Sequence, residues 1–384
     1  MMANTVSSKP QRKVAYIADQ KLIECCDSIP IVQGRATLTH GLIEAYGLLD
    51  KMLILQSSTA SERLLQKYHE EKYIEYLKKA KPDTEDSCQD KYGLGYDCPI
   101  INDLWTVVGQ LTGGTLTAAA CLISGLSNIA INWCGGWHHA QRDSASGFCY
   151  VNDIVLAIMF LQTKFCKVLY IDLDIHHGDG VEKAFYFNNK VVTMSLHLME
   201  PGYFPGTGHE NDIGSGDGRY YNINIPYKGG INDTQFLQLL ESTLSRICDV
   251  YAPNAVVCQC GVDAVTGDPL GEGNLTQEAF TSAVRHVLSL SKPTLFLGGG
   301  GYNKVNAAKV WTAITATILD ISLPSDVPEH QYFPLYGPSF DIEITPSLRK
   351  SKNTQETLNI TIQQVQENIT KMAEDIIETI NHRH

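Results

Sequence analysis

A surplus of basic charge, paired cysteines and long apolar runs are all missing from this sequence. Lys and Arg number 30 against 42 Asp and Glu, a formal net charge of −12. A chain this short of cations is poorly suited to gripping nucleic-acid phosphates, so no direct nucleic-acid partner is expected. The 11 cysteines include no CxxC pair, and several lie in apolar strand-like runs. They read as reduced thiols, not as a disulfide framework. No run of 18 or more apolar residues occurs, so no membrane span is expected. The stretch MMANTVSSKPQRKVAYIAD lacks the apolar core of a signal peptide, and no secretory signal is expected.

What the sequence does have is alternation. Apolar, β-branched runs occur at 13–19, 130–133, 167–174, 191–197, 255–261 and 294–299. Helical patterns lie between them, at 39–49, 61–80, 117–125, 152–162, 233–251, 276–290 and 306–320. Strands apolar on both faces, separated by helices, predict α/β architecture with a predominantly parallel central sheet and helices on both faces. No internal repeat or dividing linker interrupts 1–384, so a single domain is expected. The stretch 354–380 predicts a C-terminal amphipathic surface helix. Segments 81–99 and 198–222 are long, irregular and carry aromatics among Gly and Pro, which predicts an ordered rim around a site.

The polar chemistry falls at strand ends. YIDLDIHHGDG (170–180) packs Asp172, Asp174, His176, His177 and Asp179 directly behind an apolar run. If the strand continues, its period of two points Asp172, Asp174 and His176 the same way. AVVCQCGV runs into Asp263, AINWCGGW into His138 and His139, and LGGGG into Tyr302. In open parallel sheets, ligands bind at the carboxyl ends of the strands. Two carboxylates and an imidazole suit a divalent cation that keeps one open position, which makes Asp174, His176 and Asp263 the candidate set. An isolated Asp-x-His is more often structural, and paired histidines are often core side chains held by hydrogen bonds. Convergence of these strands on one edge is what favours a metal. Asp172 and Asp179 are then candidates to orient the imidazoles. The glycine run before Tyr302 lacks GxGxxG spacing, so it reads as a tight turn presenting the phenol and not as a phosphate cradle.

Five motifs in order, GGWHHAQRDSASGFCYVND, YIDLDIHHGDGVEKAFY, EPGYFPGTG, QCGVDAVTGDPLG and LGGGGYN, resemble the class I zinc-dependent histone deacetylases. The likeness runs over 13–350, and Trp137, Pro269 and Asn303 resemble the type-8 branch of that class. It implies the arginase/deacetylase-like fold, with about eight strands. It implies one catalytic Zn2+, with Fe2+ as the other ion such donors accept, on Asp174, His176 and Asp263. His139 is implied as general base and later acid, His138 as electrostatic, with Asp172 and Asp179 as their respective carboxylates. Tyr302 is implied to hydrogen-bond the developing oxyanion. Gly147, Phe148, Phe204 and Gly300 would line a narrow lysine channel with Leu270, and Asp97 would bind the substrate backbone at the rim. Arg35 would lie by an internal channel. The resemblance also implies structural K+, an inner ion near Asp172, Asp174, His176, Ser195 and Leu196, and an outer one near Phe185, Val191 and Tyr221.

Leu270 stands where the type-8 branch is expected to have Met, and the segments SIPIVQGRATLTH and GTGHENDIGSGDG also depart from that branch. The implied reaction is hydrolysis of N-ε-acetyl-lysine in acetylated proteins or peptides, histone tails among them. A role in chromatin and transcription regulation follows, by a monomer in nucleus and cytoplasm. The alternatives are an acetylpolyamine amidohydrolase, a longer-chain lysine deacylase, or an acyl-lysine-binding scaffold. A two-metal ureohydrolase is disfavoured, because Gly178 and Val265 stand where further carboxylates would be needed.

Overall fold

The structure is a computed structural model and describes residues 12–82 and 89–381. Residues 1–11, which hold most of the N-terminal stretch discussed above, and Cys88 lie outside the described residues. Among the described residues eight strands form one sheet: β1 (Val14–Ile17), β2 (Leu53–Leu55), β3 (Ile129–Asn132), β4 (Val168–Asp172), β5 (Val191–Leu198), β6 (Asn222–Tyr227), β7 (Ala255–Gln259) and β8 (Thr294–Leu297). Their order is β2-β1-β3-β8-β7-β4-β5-β6, and every pairing is parallel. This is the parallel α/β sheet expected from the alternation.

Parallel neighbours need crossover connections, and helices supply them. They are α1 (Gln20–Asp27), α2 (Arg35–Ala45), α3 (Glu62–Leu65), α4 (Glu71–Lys79), α5 (Leu104–Ser124), α6 (Asp153–Leu161), α7 (Asp179–Phe185), α8 (Asp233–Tyr251), α9 (Gln277–Ser289), α10 (Lys304–Leu319) and α11 (Gln355–Asn381). Strand alternation divides the core in two. Leu169, Met194 and Ile223 pack with Phe236, Phe280, Trp311 and Ile369, from α8, α9, α10 and α11. Tyr170, Val257 and Leu295 pack on the opposite face with Leu22, Leu111, Ile154 and Val181, from α1, α5, α6 and α7. Each such fully buried side chain contributes about 1.5–3 kcal/mol of hydrophobic stabilisation. Side-chain caps fix where several helices start: Asn232 closes a capping box on α8, while Asn152, Thr276 and Asn303 cap α6, α9 and α10.

Several boundaries differ from the sequence reading. Strand β4 stops at Asp172. Edge strands β2 and β6 were not anticipated: β2 has only three residues, and β6 (NINIPY) alternates with Asn and carries Pro226, a residue that sheets accept at an edge. Stretch 61–80 forms two helices, which bury Leu65, Tyr73, Ile74 and Leu77. Helix α5 begins at Leu104, well before the predicted 117. Its first half is rich in Gly and Thr, which are weak helix formers, and it is buried nearly all round, which erases the 3.6-residue pattern. Among the described residues α5 alone is long and apolar enough to cross a membrane, yet it is mostly buried inside the protein, as a core helix is.

Close packing of α5 on segment 57–60 depends on glycine. A Cβ on Gly113 would lie 1.5 Å from the Ser58 carbonyl oxygen, and Ala60 N–H donates to the Gly109 carbonyl at 2.8 Å. Gly113→Ala is therefore expected to destabilise by about 1–3 kcal/mol through overpacking. A lowered urea midpoint would show it; an unchanged midpoint would mean that this contact yields freely.

Candidate metal centre

The four strands whose ends carry the polar residues, β3, β8, β7 and β4, are consecutive in the middle of the sheet. Four distant stretches of chain therefore open onto one short length of the carboxyl edge. Asp174 and His176 are not placed by strand alternation, since both lie beyond the end of β4. A loop places them, stitched to its neighbours. Leu173 N–H donates to the Gln259 carbonyl at 3.0 Å, Asp174 N–H to Asp172 Oδ1 at 3.2 Å, and Ile175 N–H to Asp263 Oδ1 at 2.9 Å. Leu198 N–H donates to the Ile175 carbonyl at 2.8 Å.

This loop brings Asp174, His176 and Asp263 together, with one ligand atom of each within 4.8 Å of the others and all three buried. His176 Nδ1 lies 2.9 Å from Asp263 Oδ2 and 3.2 Å from Asp174 Oδ1. Asp174 Oδ2 accepts from Gln259 Nε2 at 2.9 Å and from Gly300 N–H at 2.8 Å. Backbone must come very close here. A Cβ on Gly300 would sit 2.1 Å from Asp263 Oδ2, and one on Gly261 2.0 Å from Asp174 Oδ2. Burial opposes charge on His176, but Asp263 and Asp174 prevail and hold the imidazole protonated, with its pKa raised to about 10. Burial and then the Asp174 charge push Asp263 up to about 7. Asp174 stays well below the carboxylate range: burial opposes its charge, but His138, His176 and Gln259 favour it. The two carboxylates thus hold a proton on the imidazole between them. This oxygen and nitrogen donor set fits a catalytic metal site, with Asp174, His176 and Asp263 as its ligands.

Two imidazoles stand beside the trio. His138 Nδ1 meets Asp172 Oδ2 at 2.8 Å, an oxygen that also accepts from the Tyr170 hydroxyl at 2.5 Å. His139 Nδ1 meets Asp179 Oδ1 at 2.9 Å. Their rings are 3.9 Å apart, yet their pKa values move in opposite directions. Burial pulls His138 down, but Asp172 and Asp174 outweigh it and lift it to about 9. His139 falls to about 3, through burial and then the charge of His138. Asp179 drops to about 2 despite burial, because of its hydrogen bond to His139 and the charges around it.

A pocket of about 330 Å³ opens over these groups, lined by Asp97, His139, Phe148, His176, Phe204 and Tyr302, with Gly147, Gly202, Tyr203 and Leu270 completing its wall. Tyr203 stacks on the His176 ring at 5.2 Å, and Phe204 meets His139 edge-on at 4.9 Å. Phe148 lies edge-on to Tyr302 at 5.6 Å. Gly147 adopts positive φ, and a Cβ there would strike His139 at 2.4 Å; its N–H donates to Asp97 at 2.7 Å. Arg35 donates to the Gly301 carbonyl at 2.9 Å and lines a small internal cavity with His138, Gly300 and Tyr302.

The remaining predicted residues lie on the β4–β5–β6 side. Asp172 and Ser195 are register neighbours, and Leu196 follows on β5. Phe185 ends α7, Val191 begins β5, and the Tyr221 carbonyl accepts from Thr193 N–H. Nearby, Thr193 Oγ1 and both side-chain polar atoms of Asn222 are buried with no hydrogen-bond partner among the described residues. His177 is not in the metal cluster; it turns to Thr207 and Glu182 and packs on His197. The sequence reading missed Gln259 and Asp268. Asp268 accepts from Tyr302, Asn303, Leu270 and Gly271 N–H groups, so one carboxylate ties the phenol's turn to the Leu270 wall. Its Gly-Asp-Pro setting, a turn signal, was the available clue. Gln259 closes the otherwise apolar strand β7, and a polar residue at that buried place was the other.

A family model described as the histone deacetylase domain matches residues 29–318. The chain is 44% identical over 361 residues to histone deacetylase 8 of Xenopus tropicalis, covering 93% of this chain and 98% of that protein. It is 43% identical over 364 residues to histone deacetylase 8 of Danio rerio, covering 94% and 96%. It is also 43% identical over 373 residues to histone deacetylase 1 of Homo sapiens, covering 96% of this chain but 77% of that protein.

A metal ion held by the trio would compete with protons for it. With His176 at about 10 and Asp263 at about 7, ligation must displace protons throughout the neutral range. Affinity for Zn2+ or Co2+, measured by chelator competition on the metal-free protein, is expected to fall by about tenfold or more per unit from pH 8 to pH 6. A pH-independent affinity would show that these residues do not bind the ion.

Proposed function

The chain belongs to the histone deacetylase family, and on that premise we propose that it hydrolyses the acetyl amide of N-ε-acetyl-lysine in proteins, releasing acetate and free lysine. The observation that carries this reading is the buried Asp174–His176–Asp263 trio beneath a pocket that also receives His139 and Tyr302. We read the ion as a single Zn2+, with Fe2+ acceptable to the same donors. Held there, it would polarise the acyl oxygen and make a water acidic enough to deprotonate at neutral pH.

The side chains divide the remaining work. His139 is neutral at physiological pH, and its Nδ1 is engaged by Asp179, so Nε2 is the nitrogen free to take a proton. A base with so depressed a pKa becomes a strong acid once protonated, suited to delivering that proton to the departing lysine amine. Asp179 stabilises the imidazolium in between. His138, held at Nδ1 by Asp172, contributes positive charge near the developing anion. Tyr302 keeps its proton, because burial and then Asp263 and Asp174 raise its pKa far above the usual range, so it acts as a hydrogen-bond donor to the oxyanion. Phe148 and Phe204 favour the methylenes of an acylated, uncharged lysine over a charged one. Asp97, at the rim, would accept from substrate main-chain N–H groups. K+ at the two positions named above is part of the proposal. The orphaned Thr193 and Asn222 side chains beside Tyr221 support a polar occupant at the outer one. Action as a monomeric, single-domain enzyme in nucleus and cytoplasm, on histone tails or other acetylated proteins, is proposed from the family likeness.

A two-metal hydrolase is less well supported. Among the described residues no second group of three metal-ligating side chains exists. The acyl-lysine scaffold is tested through Tyr302, which binding alone would not need.

Turnover of an acetyl-lysine peptide is expected with one equivalent of metal and absent after chelation. Tyr302→Phe should lower kcat by about 10²–10³ with metal content unchanged. Asp263→Ala should lose the ion. Full activity in Tyr302→Phe would overturn the oxyanion role, and full metal content in Asp263→Ala the ligand set.

A further inference from the structure

The carboxylate behind His139 is held from a second side. One oxygen of Asp179 faces His139 Nδ1 at 2.9 Å. The other accepts from Gln141 Nε2 at 2.8 Å and from Lys183 Nζ at 3.2 Å. The same Gln141 amide donates to the backbone carbonyl of His139 at 2.7 Å. One amide group thus ties the carboxylate to the main chain of the residue whose ring that carboxylate orients. Lys183 stands one helical turn beyond Asp179 on α7, its side chain 56% exposed while that of Asp179 is only 6% exposed. Neither Gln141 nor Lys183 lines the pocket.

A carboxylate held through one oxygen is free to swing about its terminal torsion, which is broad and roughly two-fold. Two donors on the other oxygen remove that freedom, and charge-assisted bonds are the stronger kind. The imidazole in turn keeps its ring plane only while Oδ1 stays in line with Nδ1.

We propose that Gln141 and Lys183 are positioning residues that clamp Asp179 Oδ2, so that Oδ1 holds His139 with Nε2 turned to the reacting amide. The inference rests on the reading of His139 as the proton-transferring group. A clamp of this kind acts on the chemical step. Support for α7 alone would act on stability instead.

Gln141→Leu, Lys183→Met, Lys183→Arg and the double variant Gln141→Leu/Lys183→Met test it alongside the wild type. The readouts are kcat, KM, metal content and melting temperature. The expected result is a kcat about tenfold lower in Gln141→Leu and about a hundredfold lower in the double variant. KM should stay within about twofold and metal content unchanged, and Lys183→Arg should match the wild type because it keeps both donor and charge. An independent readout is the His139 Nδ1–H resonance in 15N-histidine-labelled protein, expected to exchange slowly in the wild type and to broaden or vanish in the double variant. Wild-type kcat and an unchanged resonance in the double variant would overturn the clamp. So would a kcat loss matched by a fall in metal content or melting temperature. If the double variant does not fold, Lys183→Met on the surface decides alone, with kcat about threefold down expected and no change overturning the role of Lys183. An inactive wild type would overturn the proposed function, and the resonance would still decide the clamp.

Discussion

Four aspartates, Asp172, Asp174, Asp179 and Asp263, are buried side by side at the edge of one sheet. Carboxylates taken out of water are costly unless they are paired or fully hydrogen-bonded. The architecture around them answers that constraint. Main-chain N–H groups of Asp174, Ile175, His176 and Gly300 turn toward them, Gln259 contributes an amide, and three imidazoles face them. Gly261 and Gly300 are required because the main chain there comes closer to the carboxylates than any Cβ permits. Enough negative charge is left at Asp174 and Asp263 to hold a proton on His176 or to bind a cation in its place.

The same arrangement separates two neighbouring imidazoles by function. His138 and His139 are adjacent in sequence, but their carboxylates come from different elements, the end of β4 and the start of α7. His138 also feels Asp174 and gains charge, while His139 feels His138 and loses it. One side chain is thereby suited to electrostatic stabilisation and the other to proton transfer. Around them, the pocket is built from loops on a rigid sheet. Asp97 fixes Gly147, and Asp268 binds the Tyr302 and Leu270 turns together, so two parts of its wall are each held by a carboxylate accepting main-chain N–H groups.

Much of this was legible in the chain itself. Unbroken apolar strands mark a sheet covered on both faces, and acids and imidazoles placed just beyond them mark its functional edge. Helix α5, by contrast, was only half visible, because burial all round removes the periodicity by which helices are recognised. Strands β2 and β6 were missed because edge strands are short or polar and lack the apolar signature. Gln259 and Asp268 escaped notice because their local clues, a polar residue closing an apolar strand and a Gly-Asp-Pro turn, do not say which distant groups they will also serve.

What the sequence by itself determined is the chemistry: the types of side chain, their attachment to strand ends, and the parallel sheet that gathers strand ends on one edge. Hydrophobic periodicity and residue type are local properties, readable without contacts. Only the tertiary structure decided that β3, β8, β7 and β4 are neighbours and that a stitched loop, not strand alternation, aims Asp174 and His176. It alone also set what holds the carboxylate of His139 from behind. Those facts depend on strand order and on hydrogen bonds between residues far apart in the chain, and distance along a sequence carries no record of distance in space.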